Sequence, residues 1–78
     1  MNKLRRKNLK DIAERLEVLK DELETLREEE GDYMDNMPEN LQGSERYETA
    51  EEAASNMDEA VDSLEAAICS INEATGEE

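Results

Sequence analysis

The sequence predicts an all-α protein: an antiparallel helical hairpin with a short helical turn in its connection, dimerising into a four-helix bundle. Three observations carry this. Leu9, Ile12, Leu16, Leu19, Leu23 and Leu26 follow one another at alternating steps of three and four, and Tyr47, Ala50, Ala54, Met57, Val61, Leu64, Ile68 and Ile71 repeat the pattern. Apolar residues at this spacing line one stripe of an α-helix. Gly31, Pro38 and Gly43 all fall between the two stripes. With 78 residues there is room for a single domain, and so short a chain buries little apolar surface by itself, which is a first reason to expect a second copy.

The first helix is expected over residues 3–30. Asn2 offers a side-chain oxygen to the open N–H groups of its first turn, Gly31 is a candidate left-handed C-terminal residue, and the residues between are good helix formers. Ala13, Leu4 and Val18 flank the stripe. The connection, residues 31–43, is longer than the roughly two to eight residues that reverse direction between bundled helices. In it, Asp32 and Asn36 are turn formers, and Pro38 suits a position that needs no N–H. Glu39 to Gln42 then form the short turn. Met34, Met37 and Leu41 are the apolar residues able to pin this turn over the end of the bundle.

The second helix is expected over residues 45–75, with Ser44 as its N-cap and Gly76 as its stop. Beside its stripe, Ala53, Ala60, Ala67 and Ala74 recur every seven residues. Small side chains admit a close neighbour, so this helix presents a face broad enough for two partners, and a lone hairpin leaves part of it wet. A homodimer covers it. Two extended parallel chains do not, because the Gly and Pro of the connection interrupt the heptads.

The net charge of −14 is unevenly placed: residues 1–10 carry five bases and no acid, whereas residues 31–78 carry fourteen acids against Arg46 alone. In a hairpin the basic start is expected to lie beside the acidic stretch Asp62 to Glu78 and to be answered there. Clustered Lys and Arg favour phosphates, but the net field repels them at range, so direct nucleic-acid binding is not expected. No apolar run approaches the ~20 residues of a membrane span, and MNKLRRKNLK lacks the apolar core of a signal peptide. The single Cys69 excludes an internal disulfide, and a reducing cytoplasm is the expected location.

The chain has no His, so neither a zinc-finger set nor a Cys/His nucleophile pair can be built. Acid–base catalysis needs carboxyls held in environments that push their pKa values apart, and two helices offer little pocket for that. Asp32, Asp35, Asn36 and Glu39 lack the spacing of a calcium loop. No enzyme activity, metal or cofactor is expected. Two surfaces remain as candidates. Glu51, Glu52, Asp58, Glu59 and Asp62 lie off the apolar stripe and form a candidate partner-binding face for a basic protein, the bland alternative being a solvated face. Tyr33, Asp35, Asn36, Glu39, Arg46 and Tyr47 form a candidate loop site. Within it Arg46 is expected to pair with Glu28, Glu29, Glu30 or Asp32, at a helix end whose dipole disfavours carboxylates. The alternative is that Arg46 faces outward with Tyr33, Tyr47 and Asn36 to grip a ligand or partner.

The stretch EEEGDYMDNMPENLQGSERYE and the Ala- and Glu-rich helix after it, with an Asp-Asn-x-Pro-Glu-x-Leu-Gln core at Asp35 to Gln42, resemble small helical proteins of phages and other mobile elements in Gram-positive bacteria. The resemblance covers residues 28–74. It implies a genomic setting, and no functional residue is carried over from it. Joined to the acidic face, it leads to the expectation of a non-enzymatic, phage-encoded interaction module that binds a basic nucleic-acid-binding host or defence protein. The alternative is a structural or accessory helical dimer whose loop, residues 32–47, caps the bundle or binds a small ligand.

Overall fold

The computed structural model describes residues 1–76 as two long helices, α1 (Lys3–Asp35) and α2 (Glu45–Ala74), packed side by side and joined through a 3-10 turn at Glu39–Leu41. The hairpin is a rod of 59 × 17 × 14 Å. Among the described residues there is no strand, and no helix is long and apolar enough to cross a membrane. Both expected N-caps form. The Asn2 side chain accepts from the Arg5 N–H at 2.7 Å, and the Ser44 hydroxyl accepts from the Tyr47 N–H at 3.4 Å while donating to the Leu41 carbonyl. Gly76 stops α2 as expected, with φ at 69°, where a side chain would be strained.

Helix α1 does not stop at Gly31. It runs on to Asp35 and closes at Asn36, whose N–H reaches back to the Asp32 and Met34 carbonyls. Gly31 has no positive φ, so nothing about its backbone requires glycine, and the four further residues bring Met34 to the partially buried side of the helix. Tyr33 and Asp35 therefore belong to α1 and not to a loop. A Cβ built on Gly31 meets only the far end of the Arg27 side chain, at 3.0 Å. Gly31→Ala is thus expected to stabilise the protein by about 0.5–1 kcal/mol, the cost of glycine in a helix interior. A raised midpoint in urea denaturation checks this; a lowered one would mean that Arg27 cannot yield.

The connecting turn is pinned by Met37, which is 7% exposed, and not by Leu41, which is 36% exposed and points outward. The Met37 N–H donates to the Met34 carbonyl, and Gln42 Nε2 donates to the Met37 carbonyl, folding the turn about this residue. Met37→Ala is expected to cost about 1–3 kcal/mol and Leu41→Ala less than about 1 kcal/mol. Thermal melts of the two variants side by side test the ranking.

On α2 the seam is the expected one. Ala50, Ala54 and Ile68 are buried, and Tyr47, Met57, Val61, Leu64 and Ile71 are half-buried. On α1 the stripe is rotated. Leu9, Ala13, Leu16, Lys20, Leu23, Arg27 and Met34 are buried or half-buried, whereas Ile12, Leu19 and Leu26, expected in the same seam, stand out into solvent. The reason lies on the opposite flank. Lys20 Nζ donates to Glu65 Oε1 at 3.3 Å and Arg27 Nε to Asp58 Oδ1 at 2.9 Å. Their aliphatic stems cover the seam on that side while the charged heads reach the carboxylates of α2, so α1 turns towards α2 through this edge.

Candidate functional site

The outer surface of α2 is built by the same periodicity that builds its seam. With apolar residues at every third and fourth position, the polar positions between them collect on the other side of the cylinder. Glu51, Glu52, Asp58, Glu59 and Asp62 are all exposed there. Four of them, Glu51, Glu52, Glu59 and Asp62, make no ion pair among the described residues. Asp58 is the exception: its carboxylate is held across the hairpin by Arg27 and is a structural group as much as a surface charge. The bases that cross the seam are thus taken up by Asp58 and Glu65, and the outer carboxylates stay open to solvent.

Lys20 is the most enclosed charge of that polar flank, its side chain 13% exposed between Glu65 and Glu17 at 3.3 and 3.4 Å. Partial desolvation lowers its pKa, but the hydrogen bonds to Glu65 and Glu17 and their charges together outweigh this and leave it above the ordinary 10.5. A raised lysine pKa means that the pairing stabilises the fold fully at pH values below 10.5 and is lost only as pH rises through the folded-state value.

The residues of the candidate loop site do not converge. Tyr33 and Arg46 line one shallow groove of about 410 Å³ together with Glu30, Glu45, Thr49, Ala50 and Ala53. Tyr47 is half-buried on the seam, and Asp35, Asn36 and Glu39 are exposed but line no part of that groove. Among the described residues Arg46 pairs with none of Glu28, Glu29, Glu30 or Asp32, although Glu30 lines the same groove. The extension of α1 explains the miss. With the helix ending at Asp35, Glu28, Glu29 and Glu30 are interior to α1 and not at its terminus, and Arg46 is exposed in the first turn of α2, sharing the groove with Glu30 and Tyr33. No three His, Cys, Asp or Glu side chains among the described residues are grouped so as to hold a metal ion.

Comparison with known families, curated proteins and solved structures finds no match. The chemistry of the surface is therefore read from the hairpin itself, which has two unlike sides. On one, Lys20 and Arg27 meet Glu65 and Asp58, and Glu17, Ile68 and Cys69 line a groove with Lys20 and Glu65. On the other, Ile12, Leu19, Leu26 and Tyr33 form a ridge at seven-residue spacing, each between 38% and 54% exposed. The groove that joins Tyr33 to Ala53 places this ridge on the same side as the Ala53, Ala60, Ala67 and Ala74 row of α2. Periodicity identifies Ile12, Leu19, Leu26 and the alanine row of this side but not their exposure, because a stripe of alternating threes and fours spans too wide an arc to face one neighbour. Tyr33, expected in the connection, joins the ridge only because α1 runs on to Asp35.

Proposed function

We propose that this chain is a non-enzymatic, acidic protein-interaction module of phage or mobile-element origin, acting in the bacterial cytoplasm as a homodimer and binding a basic, nucleic-acid-binding host or defence protein. The observation that carries this reading is the outer face of α2, where Glu51, Glu52, Glu59 and Asp62 are exposed and, among the described residues, make no ion pair along about 16 Å of helix. A row of carboxylates on a rigid rod presents a basic groove with what a phosphate backbone presents, and such surfaces steer association through many modest contacts. The non-enzymatic part of the reading is supported by the shallow groove that carries Tyr33 and Arg46: the two carboxylates that line it, Glu30 and Glu45, are half-buried and exposed, so neither is enclosed away from water. Homodimerisation is supported by the exposed ridge of Ile12, Leu19, Leu26 and Tyr33, since a contiguous apolar face of this kind favours being covered.

A second reading, an accessory dimer whose loop holds a small ligand, draws on the groove between Tyr33 and Arg46, where a cation with no ion-pair partner among the described residues lines the same groove as an exposed aromatic ring. The experiment that separates the two is recovery of the tagged protein from its native host, with the captured partner challenged by short duplex DNA. A basic partner released by the duplex is the result expected. A partner that is not a nucleic-acid binder, or one that the duplex leaves in place, would contradict the phosphate-competition mechanism.

A further inference from the structure

The rod carries opposite charges at its two ends, and its apolar ridge runs between them. At the end where the chain begins, Lys3, Arg5, Arg6 and Lys7 are exposed and make no ion pair among the described residues. The expectation that the stretch Asp62 to Glu78 answers the basic start is not met by the described residues for these four: in the last turns of α2 only Glu73 is acidic, and Glu77 and Glu78 lie outside the described residues. The far end, residues 28–52, holds ten carboxylates against the single Arg46. Among the described residues, Lys3, Arg5, Arg6 and Lys7 at one end have no carboxylate partner, while the other end carries carboxylates in excess.

We infer that a second copy covers the apolar ridge in the antiparallel sense, with the two connecting turns at opposite ends of the four-helix bundle. The inference rests on the homodimer proposed above and adds its direction. Two-fold symmetry makes the contact reciprocal: where residue i meets the partner's j, j meets the partner's i. With the two-fold axis perpendicular to the rod, α1 packs on the partner's α1. Ile12 then stands level with the partner's Tyr33, and Leu19 with the partner's Leu26. The alanine row of α2 packs on the partner's row run in reverse, Ala53 near the partner's Ala74 and Ala60 near the partner's Ala67, small residue on small residue, where the α2 backbones approach closely. The same register sets residues 3–10 against the partner's residues 35–42, so the unpaired bases meet the acidic end. In the parallel arrangement, with the two-fold axis along the rod, α1 packs on the partner's α2 and the apolar ridge is still covered, but the two acidic ends, ten carboxylates against a single Arg46 in each copy, lie side by side, which is the repulsion that selects one arrangement over the other. The acidic face of Glu51, Glu52, Glu59 and Asp62 stays outside the bundle in this arrangement, free for a further partner.

The test places a single nitroxide on the turn in an Asn40→Cys, Cys69→Ser background, both positions being exposed. Light scattering gives the mass of the same sample and double electron–electron resonance gives the label separation. A mass twice the 8.9 kDa of one chain with labels on the order of 50 Å apart, the axial distance between the turn and the partner's turn at 1.5 Å per residue, is the result expected. A dimer with labels within about 25 Å, a spacing of neighbouring helix pairs, overturns the antiparallel arrangement while leaving the dimer standing. A monomer at high micromolar concentration overturns both. A second arm neutralises Arg5, Arg6 and Lys7 to Gln in a stretch that makes no seam contact. Antiparallel packing predicts dimerisation weakened by tenfold or more at low salt, and unchanged or tightened dimerisation contradicts it.

Discussion

Ile68→Ala is expected to remove about 2–4 kcal/mol of stability, a large part of the whole margin of a domain of this size. Ile68 is buried in the seam, only 7% exposed, and its neighbours leave little to collapse into the space. It lies against Ala13, and the grooves on that flank are lined by Glu17, Lys20 and Glu65, which cannot move inward without dragging charge away from water. The deleted methylenes are therefore lost as contacts and left as a void. The control is Leu4→Ala, which removes a similar volume from a side chain that stands in solvent and is expected to cost less than about 0.5 kcal/mol. Urea denaturation followed by circular dichroism, at one protein concentration for all variants, measures both. Equal losses for Ile68 and Leu4 would contradict the assignment of the seam.

Reversal of Glu51, Glu52, Glu59 and Asp62 to Lys is expected to reduce binding of the captured basic partner by roughly a hundredfold or more, since each reversal both removes an attraction and adds a repulsion worth a few tenths of a kcal/mol to about 1 kcal/mol at an exposed site. Asp58 is kept in this variant, because Lys at that position would face Arg27 and lose the 2.9 Å contact across the hairpin. The fold is expected to persist, as none of the four reversed residues touches the seam. Binding of the unaltered protein should itself weaken steeply with salt, the Debye length falling from about 8 Å at physiological ionic strength to about 3 Å at 1 M. The loss should fall mainly on the association rate.

Much of this molecule is legible in its sequence because helical hairpins are made by local rules. Asn2, Ser44 and Gly76 act where their side chains or lack of one predict, and the α2 seam from Tyr47 to Ile71 is the one its spacing describes. What spacing does not reveal is rotation. The α1 stripe covers an arc wider than the contact, and which half turns inward depends on Lys20 and Arg27 finding carboxylates on α2, a non-local fact. Gly31 misleads for a related reason: glycine is a stop signal only where the chain needs a positive φ, and here Met34 and Met37 draw the helix onward into the turn. That leaves Leu41 outside and leaves Arg46 beside Glu30 in one groove without an ion pair among the described residues. The candidate loop site was thus built from residues near in sequence, while the acidic face was built from residues near on a helix, and only the second survives as one surface.

The central claim is that recognition resides on the outer face of α2 and not at the turn. The measurement that tests it most directly is the dissociation constant of the captured partner for two variants at matched ionic strength, one with Glu51, Glu52, Glu59 and Asp62 reversed to Lys, the other with Tyr33, Asn36 and Arg46 replaced by Ala. The first should lose binding and the second should keep it to within a few fold. If the charge-reversed protein still binds while the Tyr33, Asn36 and Arg46 variant does not, the acidic row is a solvated surface and the groove beside the turn is the recognition element.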